Sequence, residues 1–157
     1  MSSAILDVQC IIGAGNAYFI KEMSVVDTET RSTQHWIFKH SNITQDDKSK
    51  SVNKWLERQY HGLSLEYGDV EYEELYKILN SLTFDTIYDK GVQKQKIIKE
   101  IDPYINDINI EDIGCPRLDR LCDEESLPCC IFHKNLNPKQ CTFYKTFAIR
   151  KWYINNS

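Results

Sequence analysis

Three cysteines and one histidine fall within the fourteen residues 128–141, PCCIFHKNLNPKQC. Thiols and an imidazole at this density are either ligands for a divalent metal ion or small apolar side chains around a hydrogen-bonded ring. Cys130-Ile131-Phe132-His133 has C-x2-H spacing, which lets one tight turn present two ligands to one ion. Cys141 follows His133 after seven residues. Asn137-Pro138 is a cap followed by a first-turn proline, so Cys141 is expected in the first turn of a closing helix. A helix N-terminus lowers a thiol's pKa and favours the thiolate that a metal needs. That makes three of the four ligands of a tetrahedral zinc site. Cys129 is an alternative to Cys130, and the spacing alone leaves zinc and simple burial both open.

Such a cluster needs elements to hold it. Residues 4–12 (AILDVQCII), 17–26 (AYFIKEMSVV) and 33–39 (TQHWIFK) read as three strands joined by short turns, an antiparallel meander. Gly13-Ala14-Gly15 is half a dinucleotide fingerprint, but it joins two strands and reads as a hairpin turn. Residues 46–58 are expected to be helical, with an aspartate start signal, and residues 70–82 likewise, with apolar positions at helical spacing. A short buried strand is expected at 84–88 and a lysine-rich helix at 90–101, with Val92, Ile97, Ile98 and Ile101 as its apolar positions. A short helix is expected after Pro116, ending near Cys122. The closing helix to about residue 153 is apolar nearly all round and so largely buried. This order is the outline of an α/β, RNase H-like fold: a three-stranded meander, then alternating helices and strands.

With 157 residues, 41% hydrophobic and 27% charged, one domain spanning 1–157 is expected, with a core large enough to need no staples. The N-terminal MSSAILDVQC lacks the pattern of a signal peptide, and no apolar run approaches the ~20 residues of a membrane span. An intracellular protein, cytoplasmic or nuclear, with no membrane and no small-molecule cofactor is expected. Its six cysteines are then free thiols, with Cys10, Cys115 and Cys122 read as buried small residues. Net charge is −4, yet residues 129–157 contain no Asp or Glu. They carry Lys134, Lys139, Lys145, Arg150 and Lys151, which leaves −9 on the first 128 residues. That asymmetry suggests a cationic face on an acidic body, or else a solvated helix end.

Cys130-x2-His133-x7-Cys141, followed by a buried apolar helix, resembles the end of the Maelstrom domain family. That domain ends in a C-x2-H-x8-C arrangement that binds zinc, one residue longer than here. The resemblance supplies a fourth ligand, a glutamate on an early strand, which falls on Glu22 in FIKEMSVVDTETRSTQHWIF. It implies a structural Zn2+ held by Glu22, Cys130, His133 and Cys141 that staples the C-terminal helix to the sheet. Residues 86–96 and 109–113 resemble further steps of the same domain. No HMG box precedes it in these residues, so a stand-alone domain is expected.

The RNase H-like superfamily includes DEDD exonucleases, whose four carboxylates hold two metal ions. The first two would form a D-x-E pair on the first strand, where this chain reads Asp7-Val8-Gln9. Asp69, Asp89 and Asp112 are candidate middle members, but residues 129–157 offer no final carboxylate. DEDD catalysis is therefore not expected, and no catalytic residue is assigned. His35, His40 and His61 have no nucleophile at a telling spacing. The Maelstrom resemblance implies single-stranded RNA binding, weak endoribonuclease activity and a role in piRNA-pathway transposon silencing. Lys134, Lys139, Lys145, Arg150 and Lys151 are the expected phosphate contacts, and Tyr144, Trp152 and Tyr153 are candidate stacking faces, more readily core. The alternative is a catalytically dead module for protein partners on the same fold.

Overall fold

The structure is a computed structural model that describes residues 2–121, 130, 132–133 and 140–156. Strands β1 (Ser3–Ile12), β2 (Tyr18–Asp27) and β3 (Thr33–Lys39) pair antiparallel in sequence order. Gly15, in the left-handed region at φ 71°, allows the turn between β1 and β2. The short strands β4 (Val70–Glu71), β5 (Thr86–Asp89) and β6 (Asp107–Asn109) complete a six-stranded sheet in the order β4-β3-β2-β1-β5-β6. β4 runs parallel to β3, β5 parallel to β1, and β6 parallel to β5. Among the described residues four α-helices accompany the sheet: α1 (Asp47–Gln59), α2 (Leu75–Ser81), α3 (Val92–Ile101) and α4 (Thr142–Asn155).

The strands' period-two pattern divides the core. Leu6, Val8, Ile20, Met23 and Val25 face α2 and α3, packing with Leu75, Leu79, Ile97 and Ile98. Ile5 and Val26 face the other way, onto Tyr144, Phe147, Ala148 and Ile149 of α4. Asp46 caps α1 through a reciprocal pair with Ser49: the Ser49 amide donates to Asp46 Oδ1 and the Asp46 amide to Ser49 Oγ, each at 2.8 Å.

Several expected elements differ. The helix expected over 70–82 shortens to α2, because the chain first runs beside β3. Gly68 lies so close to β3 that a Cβ there would stand 2.7 Å from Ile37 O and from Lys39 N. Asp69 ties down the same place, its Oδ1 accepting from the Ile37 amide at 2.9 Å. With β3's edge within reach, Val70 and Glu71 pair as a strand, and tertiary pairing overrides local helix propensity. Val92, expected on the apolar stripe of α3, is exposed. The helix expected after Pro116 is one 3₁₀ turn, Leu118–Arg120. Cys141 is the N-cap of α4 rather than a first-turn residue, and Asn137-Pro138, Cys122 and Cys129 lie outside the described residues.

A β-bulge interrupts β1–β2. Gln9 pairs with Glu22 and Cys10 with Ile20, which leaves Lys21 as the extra residue. Lys21 and Glu22 are consecutive, and both are fully buried. The Lys21 ammonium donates to the carbonyls of Phe38 (2.7 Å), Leu65 (3.2 Å) and Tyr67 (2.5 Å). It thereby pins the 61–67 loop to the sheet. Burial pushes the Lys21 pKa down to about 8. Lys21→Met leaves three carbonyls without their donor and is expected to cost about 2–4 kcal/mol. Urea denaturation checks this, and an unchanged midpoint would show the loop to be held by other means.

Candidate metal centre

The bulge aims Glu22 at the N-terminus of α4. There Glu22, Cys130, His133 and Cys141 offer one ligand atom each, all within 4.8 Å of one another. Glu22 Oε2 lies 3.1 Å from His133 Nε2, 3.6 Å from Cys130 Sγ and 3.8 Å from Cys141 Sγ, and the two sulfurs are 3.4 Å apart. A tetrahedron with Zn–N/O and Zn–S bonds of usual length has edges of about 3.3–3.8 Å. The observed separations are close to those edges, so the donor set fits a tetrahedral metal ion in both chemistry and size.

The surroundings orient each donor. Glu22 Oε1, the oxygen turned away from the thiols, accepts from Gln9 Nε2 at 2.6 Å and from the Thr142 amide at 3.1 Å. Oε2 is thereby presented to the cluster, as outer-shell hydrogen bonds commonly do for a ligating carboxylate. His35 Nε2 also reaches Oε2, at 2.7 Å, and the Phe132 ring stacks on His35 at 6.4 Å. His133 Nδ1 bonds the His61 carbonyl, which leaves Nε2 for the cluster. The His61 ring accepts from the Leu63 amide at 3.0 Å, and burial pushes its pKa down to about 4, so it is neutral near pH 7.

Without an ion the four groups share protons. Burial alone would raise the Glu22 carboxyl, but hydrogen bonds from His133 and His35 hold it well below the usual range. Burial disfavours the His133 cation, yet its bonds to Cys141 and Glu22 prevail and raise it to about 10. The hydrogen bond from Cys130 lowers Cys141 to about 5, against its burial, and the Cys130 thiol is raised by the same bond and by burial. The cluster is thus one thiol, one thiolate, one imidazolium and one carboxylate, with a net charge of −1. Replacing its two removable protons with a dication leaves that charge unchanged.

The solvent-facing alternative for Glu22 is overturned, since the side chain is 0% exposed. Sequence reasoning missed Gln9 as a partner of Glu22, and also His35 and the His61 carbonyl. The alternation of β3, which puts His35 on the same face as its neighbour Ile37, was the available signal for His35. Cys115 is buried as expected, whereas Cys10 is half-buried, its thiol pushed up to about 12 mainly by burial.

The described cations of the tail differ in their settings. Lys134 and Lys139 lie outside the described residues. Lys145 is buried beneath Tyr60, while Arg150, five residues on and so about 140° round the helix, donates from Nε to Thr28 O at 3.0 Å. Lys151 is half-buried. Tyr144 is core, and Trp152 and Tyr153 pack against the same cluster. Of the candidate middle carboxylates, Asp112 is exposed on a 3₁₀ turn, Asp69 is tied to β3, and Asp89 is buried at the end of β5. Asp7 is buried and paired with Lys94 of α3, Oδ1 to Nζ 2.5 Å.

This sheet and helix arrangement is shared with exonuclease nuclease domains of the RNase H-like, DEDDh class. One is the nuclease domain of 3′hExo, a DEDDh family member solved bound to rAMP, at TM-score 0.55 and 14% identity over 98% of this chain and 90% of that one. Another is a 3′-exonuclease in 3′-end-specific recognition of the histone mRNA stem-loop, at TM-score 0.55 and 12% identity over 98% of this chain and 80% of that one. At such identities the likeness is one of fold. No protein-family model matches the chain, and no curated protein matches it. Among the described residues no helix is long and apolar enough to cross a membrane.

Proposed function

We propose that residues 1–157 form one zinc-stabilised, Maelstrom-like domain of RNase H fold that has lost DEDD catalysis and binds single-stranded RNA. The observation that carries this reading is what Gln9 does. It occupies the second position of the D-x-E pair and donates to the Glu22 carboxylate at 2.6 Å. A glutamate at position 9 would set a second carboxylate against Glu22, in a buried place where two like charges cannot both ionise. The amide that weakens a catalytic metal site therefore supports the structural one.

The remaining catalytic positions favour the same reading. The Lys94 ammonium already neutralises Asp7, and α4 brings Lys145, not a carboxylate, to the cleft beside Gln9. These residues do not fit a pair of divalent cations, and no hydrolytic step is derived through them. When bound at Glu22, Cys130, His133 and Cys141, zinc supplies a closed four-coordinate cross-link. The chain's own part is to join the bulge of β2 to the start of α4, with Gln9, Thr142 and the His61 carbonyl orienting the ligands. RNA binding, weak endoribonuclease activity and a place in transposon silencing come from the Maelstrom resemblance, and no side chain is assigned to cleavage.

A gel-shift series against single-stranded RNA at two salt concentrations tests the reading. Micromolar binding that weakens steeply with salt is expected. Absence of such binding would leave the second reading, a catalytically dead protein-interaction module, which the net charge of −4 favours.

A further inference from the structure

A cleft of about 310 Å³ opens between β1, α3 and α4, lined by Gln9, Lys94 and Lys145 together with Tyr18 and Tyr60. Two of its groups have unused hydrogen-bonding capacity. Lys145 is only 6% exposed, and among the described residues its ammonium meets no carboxylate or carbonyl. Its neighbour is the Tyr60 ring, with Nζ 5.7 Å from the centroid. Gln9 Oε1 is likewise a buried acceptor with no partner among the described residues. An ammonium on a largely buried side chain that finds no acceptor among the described residues is poorly compensated, and this one borders open space that an anion can enter.

The cleft continues into an aromatic surface. Tyr60 stacks on Trp55 of α1, with centroids 6.2 Å apart and planes at 22°. Trp55 is 55% exposed, and the exposed Lys54 and Arg58 border the same shallow groove. Glu57 of the same helix lines the next groove, which it shares with Lys50 and Lys54. An exposed indole between two cations, continuous with a lysine-lined cleft, is the arrangement that single strands use: bases stack on rings while phosphates meet ammonium groups.

We propose that the Lys94–Lys145 cleft and the Tyr60–Trp55 stack together bind a single-stranded nucleic-acid segment without divalent metal, a phosphate on the lysines and a base on Trp55. A nucleotide meets both unused capacities. Its phosphate oxygens accept from Lys145 and Lys94, and a sugar hydroxyl or base N–H donates to Gln9 Oε1. Ammonium groups thus stand where an active DEDD relative would use metal ions to hold the strand. This deepens the RNA reading above and rests on it. Stacking and phosphate contacts are common to RNA and DNA, so both are tested.

The test is fluorescence anisotropy of a labelled oligouridylate and a labelled oligothymidylate, each about a dozen nucleotides, with no added divalent cation. Trp55→Ala is expected to weaken binding of at least one oligomer about tenfold. Lys145→Gln should weaken it and flatten the slope of log K against log salt by about one. Should Lys145→Gln not fold, Arg58→Gln on the exposed face of α1 carries the same slope test. Lys77→Gln on α2 serves as the unchanged control. Wild-type affinity for both oligomers in Trp55→Ala, or an unchanged salt slope in the lysine or arginine variant, overturns the proposal while RNA binding stands. An affinity that requires added magnesium overturns it as well. A wild-type chain that binds neither oligomer overturns the RNA reading itself.

Discussion

His133→Ala is expected to lose both its zinc and much of its stability. Elemental analysis should find about one zinc per wild-type chain and essentially none in the variant. The physical reason is the setting of Glu22, a carboxylate that is 0% exposed. With the ion it is neutralised directly. Without the ion it relies on His133 and His35. Removing His133 takes away the metal and the more deeply buried of the two substitutes, whose other ring nitrogen is fixed by the His61 carbonyl. Breaking a buried charge pair costs on the order of 3–5 kcal/mol, and loss of bound metal adds to that through linkage. Urea denaturation of the two chains, each with and without added zinc, reads both effects. A wild-type chain that is free of zinc and melts where His133→Ala melts would remove the site.

Asp89→Asn should make the protein more stable, and less sensitive to alkali. Asp89 and Asp107 come from β5 and β6 on the α3 face of the sheet, both buried. Burial, then the neighbouring Asp107 carboxylate, push the Asp89 carboxyl up to about 9 from 3.8, while Lys99 pairs with Asp107 at 2.9 Å. The folded chain therefore holds a proton that the unfolded chain releases over most of this interval. Unfolding releases protons, so stability falls as pH rises between about 4 and 9, by at most about 1.4 kcal/mol per pH unit. The difference between the wild-type and Asp89→Asn profiles isolates the effect, because Lys21, lowered to about 8, and His133, raised to about 10, contribute alike in both chains. Asparagine imitates the protonated acid and donates to Asp107. It is expected to add about 1–3 kcal/mol at about pH 8 and to flatten the profile. A stability difference between the two chains that stays constant from about pH 5 to about pH 8 would show that the two acids do not share a proton.

Four features were legible in the residues themselves. The strands 4–12, 17–26 and 33–39 differ from β1, β2 and β3 by at most two residues at an end, because alternating apolar side chains and short turns are local properties. A start of α1 at Asp46 or Asp47, of which Asp46 is the cap, and the burial of α4 were legible for the same reason. The C-x2-H-x7-C run marked three of the four clustered donors, since one turn and one helix start can be read from spacing alone. Glu22 was reached only through a resemblance; nothing in KEMSVV distinguishes a ligand from a carboxylate facing water.

The strands β4 and β6, at two and three residues, are too short to show a period and exist because neighbouring edges accept them. The same holds for chemistry. Glu22 meets Cys130 across 108 residues, His133 across 111 and Cys141 across 119, and Lys94 meets Asp7 across 87. Which side chains share a face along one strand or helix follows from backbone geometry, and this much the amino-acid sequence determined by itself. Which faces meet depends on one extra residue in β2, on the packing of α4 over the sheet, and on the loop pinned by Lys21. Those depend on burial summed over the whole chain, so only the tertiary structure decided that Gln9 orients a ligand and that two lysines line the cleft beside it.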